Sequence, residues 1–230
     1  MEADYLINLP VMKGHCQTVM TCALKNLKGC IPDSEKSRFH TIGLHKPIAY
    51  LNRILKQHLV IVDAIMGDLS FEEGGNPVEM NRIFCGTDPV LIDAYAAKLM
   101  GIDISEVPYI GIAQKLGVGS ADLANAQIVE LNRAKGEQAS RTDRVGELAK
   151  YIREKDACSA CYANLVSALA ALDDKKILGK LSQKINIGQG FRNVEINGIG
   201  IGKCAQNCRY HLKGCPPEKE DIITFIEKFL

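Results

Sequence analysis

Nine cysteines occur in a chain of 230 residues, and five of them gather in its C-terminal third. They stand as Cys158-Ser-Ala-Cys161, Cys204-Ala-Gln-Asn-Cys208 and Gly214-Cys215-Pro216-Pro217. Cysteine as thiolate is a nucleophile and a soft metal ligand, whereas as thiol it packs as a small hydrophobe. Cys158 and Cys161 fall three apart at the start of an expected helix, so they share one face with β-carbons about 5–6 Å apart. The positive end of that helix favours the thiolate form. Two thiolates from this pair can reach one metal centre.

The other ligand candidates sit in turns. Cys204 follows Gly198-Ile-Gly-Ile-Gly202, a glycine-rich loop that lets backbone amides approach an anionic group. Cys215 precedes a proline, as does the last ligand in bacterial ferredoxin runs. Cys158, Cys161, Cys204 and Cys215 are therefore expected to hold an iron-sulfur cluster, [4Fe-4S], with Cys208 an alternative ligand in place of Cys204 or Cys215. Structural zinc is the rival, because four thiolates also satisfy its tetrahedral preference. Cys16, Cys22, Cys30 and Cys85 have no short-spaced partner; Cys22 and Cys85 lie among apolar neighbours, and all four read as structural.

A second polar group lies near the N-terminus, in Lys13-Gly-His15-Cys-Gln-Thr18 and Lys25-Asn26-Leu-Lys28-Gly29. Helical spacing from Thr18 onward places it at a strand-to-helix junction, where ligands bind in open α/β sheets. Lys13, Lys25 and the helix amides favour a small anionic ligand, with Lys13 and Asn26 the cofactor-binding candidates. His15 and His40 are able to bind a metal or move a proton. Asp63 ends an apolar strand and Asp93 lies inside an apolar helix, so both are expected as acids in low-dielectric surroundings. His15, Lys25, His40, Asp63 and Asp93 form the catalytic candidate set; an ordinary solvated loop is the plainer alternative. Asp88 is an N-cap.

The elements that must position these residues alternate. Tyr5–Leu9 and Leu59–Asp63 read as strands, the second as a buried parallel one, with a helix opened by Pro47 between them. A third strand near Arg82–Cys85 leads through Asp88-Pro89 into a helix ending by Gly101. Val107–Leu116 reads as helix and Ala126–Leu131 as a further strand. Residues 1–135 are therefore expected to form an α/β domain, a mostly parallel sheet flanked by helices. A polar stretch over residues 133–140 separates it from a smaller α+β cysteine-rich domain, residues 136–230. That domain begins with a helix near Thr142 or Asp143. It continues with a helix from Cys158 to Leu172, strands at Lys184–Ile187 and Asn193–Ile196, a turn at Asn197–Gly202 and a last helix after Pro217. No internal repeat is visible.

Composition narrows the partners. Hydrophobic content of 47% suits a globular chain. Lys and Arg number 28 against 27 Asp and Glu, and they are spread along the chain, which argues against nucleic acid. No apolar run is long enough to span a bilayer and Met1–Tyr5 lacks a signal-peptide start, so a cytoplasmic setting is expected. Thiols stay reduced there.

The chain resembles the DUF362 proteins, a family of uncharacterised function often associated with iron-sulfur clusters. The likeness rests on Ala3-Asp-Tyr-Leu-Ile-Asn-Leu-Pro10, Lys13-Gly-His15, Leu24-Lys-Asn-Leu-Lys-Gly29, Asp63-Ala-Ile65, Gly75-Asn-Pro77 and Thr87-Asp-Pro89 with Asp93, and covers roughly residues 3–130. Longer members similarly carry a C-terminal segment ending in glycine-cysteine-proline-proline, preceded by a glycine-rich turn and cysteine, which favours Cys204 over Cys208. Members usually begin with a further stretch of strands and helices that this chain lacks. The expected function is a redox protein passing single electrons to a partner protein. Two alternatives are an enzyme using the His15, Lys25, His40 and Asp63 region, and a zinc-stabilised interaction module.

Overall fold

Leu59–Asp68 pairs with two other strands, and its buried residues Val60, Val62 and Ala64 alternate with Ile61, Asp63 and Ile65 on the outer side. That period of two is the mark of a strand with one covered face. The computed structural model describes residues 3–68, 77–132 and 144–230. The chain divides into two compact units, Met1–Thr142 and Asp143–Leu230. The polar stretch at 133–140, the expected helix start at 142–143, and residues 75–76 lie outside the described residues.

The first unit opens with β1 (Ile7–Asn8), β2 (Lys13–His15) and β3 (Val19–Thr21), then α1 (Ala23–Asn26), α2 (Asp33–Thr41) and α3 (His45–Ile54). It continues through β4 (Leu59–Asp68), β5 (Pro77–Gly86), α4 (Pro89–Leu99) and α5 (Pro108–Lys115). β1 and β4 are parallel, with Ile7 opposite Leu59, so the β-α-β order holds across α3. β5 then returns antiparallel to β4, which makes this sheet mixed. Its core joins Val60 and Val62 to Met12, Met20, Leu24, Ile48, Val90, Ala97 and Ile110.

Three expectations for elements are corrected. Thr18 onward is not helical: β2 and β3 form an antiparallel hairpin, and the helix starts only at Ala23. Thr18, Val19 and Thr21 are β-branched and favour strand. His15 Nδ1 accepts from the Gln17 and Thr18 amides at 3.1 and 3.2 Å, closing the hairpin turn. Ala126–Leu131 forms no strand, and its apolar residues Ile128, Val129 and Leu131 are exposed. The third correction lies in the second unit.

That unit contains α6 (Arg144–Ala149), β6 (Ile152–Glu154), α7 (Ser159–Asp174), β7 (Ile185–Ile187), β8 (Ile196–Ile201), β9 (Cys208–Leu212) and α8 (Lys219–Ile226). The four strands form one fully parallel sheet in the order β6-β7-β8-β9. The stretch expected as strand at Asn193–Ile196 and turn at Asn197–Gly202 is instead the strand Ile196–Ile201. Alternating glycine and isoleucine gave the turn reading. Those glycines instead let residues 198–201 be buried in succession, which bulkier residues would prevent.

Parallel strands normally need a crossover of a dozen or more residues. Here residues 188–195 and 202–207 suffice, because each connection is a single arc containing a 3-10 turn, Gln189–Phe191 or Lys203–Ala205. The chain coils on itself, as in a solenoid. The sequence repeats accordingly, contrary to expectation: Ile185-Asn-Ile-Gly188 aligns with Ile199-Gly-Ile-Gly202, and β7 pairs with β8 in that same register. Gly188 and Gly202 hold equivalent positive φ angles of 121° and 84°. The short period leaves room for one strand and one arc per coil.

Candidate metal centre

Because β6 to β9 are all parallel, their carboxyl ends share one edge, the edge at which α/β sheets place ligand-binding loops. Cys158 follows β6, Cys204 follows β8 and Cys215 follows β9, each within four residues of the strand end. Cys158 is the N-cap of α7 with extended backbone (φ −66°, ψ 143°), and Cys161 lies in the first turn of that helix. A sixteen-residue helix thus points its positive end at the same edge.

The loops are tied together. Gly202 N donates to Leu212 O at 2.9 Å and Lys203 N to Gly214 O at 2.8 Å, which sets the Cys204 turn beside the Cys215 turn. Asn164 Nδ2 donates to Pro217 O at 2.9 Å, which ties α7 to the segment after Cys215. A methyl group added at Gly202 would stand 3.9 Å from Cys161 Sγ. Cys161 is pushed up to about 12, by burial first and then by the charges of Cys158, Cys215 and Cys204. Cys161 therefore lies within electrostatic reach of the other three thiols.

Two residues that the sequence reading missed donate to these sulfurs. Gln189 Nε2 lies 3.7 Å from Cys158 Sγ, and Arg192 Nε lies 3.5 Å from Cys204 Sγ. The Arg192 guanidinium is held above its ordinary value by its hydrogen bond to Cys204, then by the charges of Cys204, Cys158 and Cys215. Both residues follow β7, at the repeat positions of Lys203 and Gln206, so the short repeat was the signal that could have found them.

Cys208 is set apart. It is 6% exposed, packs with Phe191 and Ala205, and faces Gly200, where an added methyl would meet its Sγ at 2.7 Å. Its thiol is pushed up by burial alone. A four-thiol donor set matches the ligands of both a [4Fe-4S] cluster and zinc. Among the described residues, no group of three or more His, Cys, Asp or Glu side chains is gathered to hold a single metal ion.

The N-terminal candidates have structural partners. Asp93 is fully buried and accepts from Ala23 N at 2.7 Å and Leu24 N at 3.2 Å, anchoring the start of α1. Burial raises it to about 7, against the lowering effect of those amides and the Cys22 thiol. Lys25, 7% exposed, donates to Thr21 Oγ1 at 3.1 Å. Lys28 Nζ lies 2.8 Å from His40 Nε2, and His15 organises its hairpin. Asn26 donates to Asn8 Oδ1 at 2.6 Å, within a carboxamide chain that continues from Asn8 to Gln57 and from Gln57 to Asn52. Lys13 lies in β2, opposite Thr21. Asp63 differs from expectation: it lies mid-strand, exposed, and accepts from Ile65 N at 3.1 Å. Cys85 is exposed as well, whereas Cys22 is buried.

Fold and site together define a two-unit α/β chain with a thiol quartet at the carboxyl edge of a parallel sheet. Residues 1–98 match the model of a family described as a domain of unknown function, DUF362, so the resemblance is shown over that stretch. The chain is 29% identical over 129 residues to the thylakoid-associated protein sll1697 of Synechocystis sp.. That alignment covers 51% of this chain and 39% of the relative. No solved structure matches. Among the described residues no helix is long and apolar enough to cross a membrane.

Proposed function

We propose that Cys158, Cys161, Cys204 and Cys215 hold a [4Fe-4S] cluster and that the protein serves one-electron transfer with a redox partner protein. The observation that carries this reading is the convergence of four thiols from three post-strand loops at one sheet edge, with Cys161 within electrostatic reach of the other three. When bound, such a cluster accepts and releases single electrons. A tetrahedral zinc, with sulfurs at about 2.3 Å, takes the same four ligands, and the likeness to a family often associated with iron-sulfur clusters favours the cluster.

The chain's own residues fit an anionic centre. The α7 N-terminus, Gln189 and Arg192 supply positive potential or hydrogen bonds to the sulfurs, which stabilise added negative charge. Cys215 is exposed, giving electrons a short path to a docked partner. A reducing compartment such as the cytoplasm, expected from the sequence, keeps the thiols available. Electron paramagnetic resonance of anaerobically isolated, dithionite-reduced protein tests the reading. A cluster signal is expected, and a colourless protein that stays silent and carries zinc overturns it.

A further inference from the structure

Beside Cys215 lies a cavity of about 590 Å³ lined by Lys203, Gln206, Asn207, His211, Lys213 and Gly214, with Cys215 in its wall. This volume falls within the range of small-molecule sites. Its chemistry has one sign. Two lysines and a histidine line it together with two carboxamides, and no acid does. From residue 196 to residue 217 the chain carries Lys203, Arg209 and Lys213 and not one Asp or Glu. His211 Nε2 lies 3.2 Å from Gly202 O, which fixes the imidazole in the wall.

Clusters of like charge around a concavity repel one another and are relieved by a counter-charge in the cavity. Ammonium groups and carboxamide N–H groups together recognise carboxylate or phosphate oxygens through charge-assisted hydrogen bonds. The turns that form the cavity are already held to each other by the Lys203 N to Gly214 O bond, so the site is formed before a ligand arrives. It also touches the quartet at its most exposed member.

We infer that this cavity binds a small oxyanion-bearing molecule, a carboxylate or a phosphate compound, held by Lys203 and Lys213 against the Cys215 loop. Binding itself needs only the folded unit, whereas redox use of the bound molecule rests on the iron-sulfur reading above.

Calorimetric titration of the full-length, anaerobically isolated protein with inorganic phosphate and, separately, succinate tests it, with iron and sulfide measured on the same samples. Saturable binding of at least one probe is expected, and which one binds distinguishes phosphate from carboxylate chemistry. Lys203→Gln and Lys213→Gln are each expected to weaken binding about fivefold or more. Gln206→Glu, an exposed change that puts a carboxylate in the cavity, is expected to abolish it. Lys180→Gln, on the 3-10 turn Leu178–Lys180, leaves it unchanged. Failure of both probes to bind, or affinity in both lysine variants unchanged from that of the unsubstituted protein, overturns the inference. Iron-free protein that still binds through the two lysines upholds this site and refutes the cluster. Fully loaded protein that binds neither probe does the reverse.

Discussion

Asn164 donates to Pro217 O at 2.9 Å, which joins the helix bearing Cys161 to the loop bearing Cys215. Breaking that bond leaves the carbonyl of buried Pro217 without its donor and lets the two cysteine-bearing segments drift. Asn164→Ala is expected to cost about 1 kcal/mol of stability and to speed iron loss to a chelator, followed by absorbance. Unchanged release kinetics would show that the tie does not hold the site.

Cys208 and the quartet are expected to separate cleanly on mutation. Cys208→Ala removes one sulfur from the Phe191 and Ala205 cluster and is expected to cost about 1 kcal/mol while keeping the full iron content. Serine at Cys158, Cys161, Cys204 or Cys215 is expected to lower the iron content. Iron loss in Cys208→Ala with retention in Cys204→Ser would exchange their roles.

Cysteine spacing pointed to four thiols that the structure carries at one sheet edge, Cys158, Cys204 and Cys215 just after strands and Cys161 in the first turn of α7, because residue type and turn residues are local signals. The mixed first sheet and the coil of β7, β8 and β9 were not, since both depend on pairing between segments. Ile199-Gly-Ile-Gly202 shows why: its glycines look like a turn in isolation, and only the register against Ile185-Asn-Ile-Gly188 makes them strand and arc. Similarly, Asp93 reads as an acid in low-dielectric surroundings and a catalytic candidate. The buried acid is there, and the described partners are the amides of Ala23 and Leu24 and the Cys22 thiol.

Arg192 is expected to tune the site. Its donation to Cys204 Sγ would favour the more negative, reduced state of the proposed cluster, so Arg192→Gln should lower the midpoint potential, on the order of tens of millivolts. Redox titration reads this directly. An unchanged or raised potential would contradict it.

Asp93 makes the first unit pH-sensitive. Its folded value of about 7 lies above the ordinary 3.8, so the folded state holds a proton that the unfolded state releases between those limits. Its contribution is fully present below pH 3.8 and is lost as pH rises to about 7, by up to roughly 1.4 kcal/mol per pH unit. Asp93→Asn, though less stable, should flatten this slope in urea titrations at pH 4.5, 6 and 7.5. A parallel slope in the variant would assign the effect to another group.

Gly119 and Asp88 form a tight pair. Asp88 caps α4 through the Val90 and Leu91 amides and also accepts from Ser120 N, and a methyl at Gly119 would stand 1.9 Å from its Oδ1. Gly119→Ala is expected to displace the cap and cost about 1–2 kcal/mol. It should add little to Asp88→Ala in a double-mutant cycle, and full additivity would show that the two act independently.

Iron and acid-labile sulfide per chain, measured on anaerobically isolated protein, test the central claim most directly. Four of each per chain are expected for a [4Fe-4S] cluster, about four by ordinary assay precision. One zinc per chain without sulfide would contradict it.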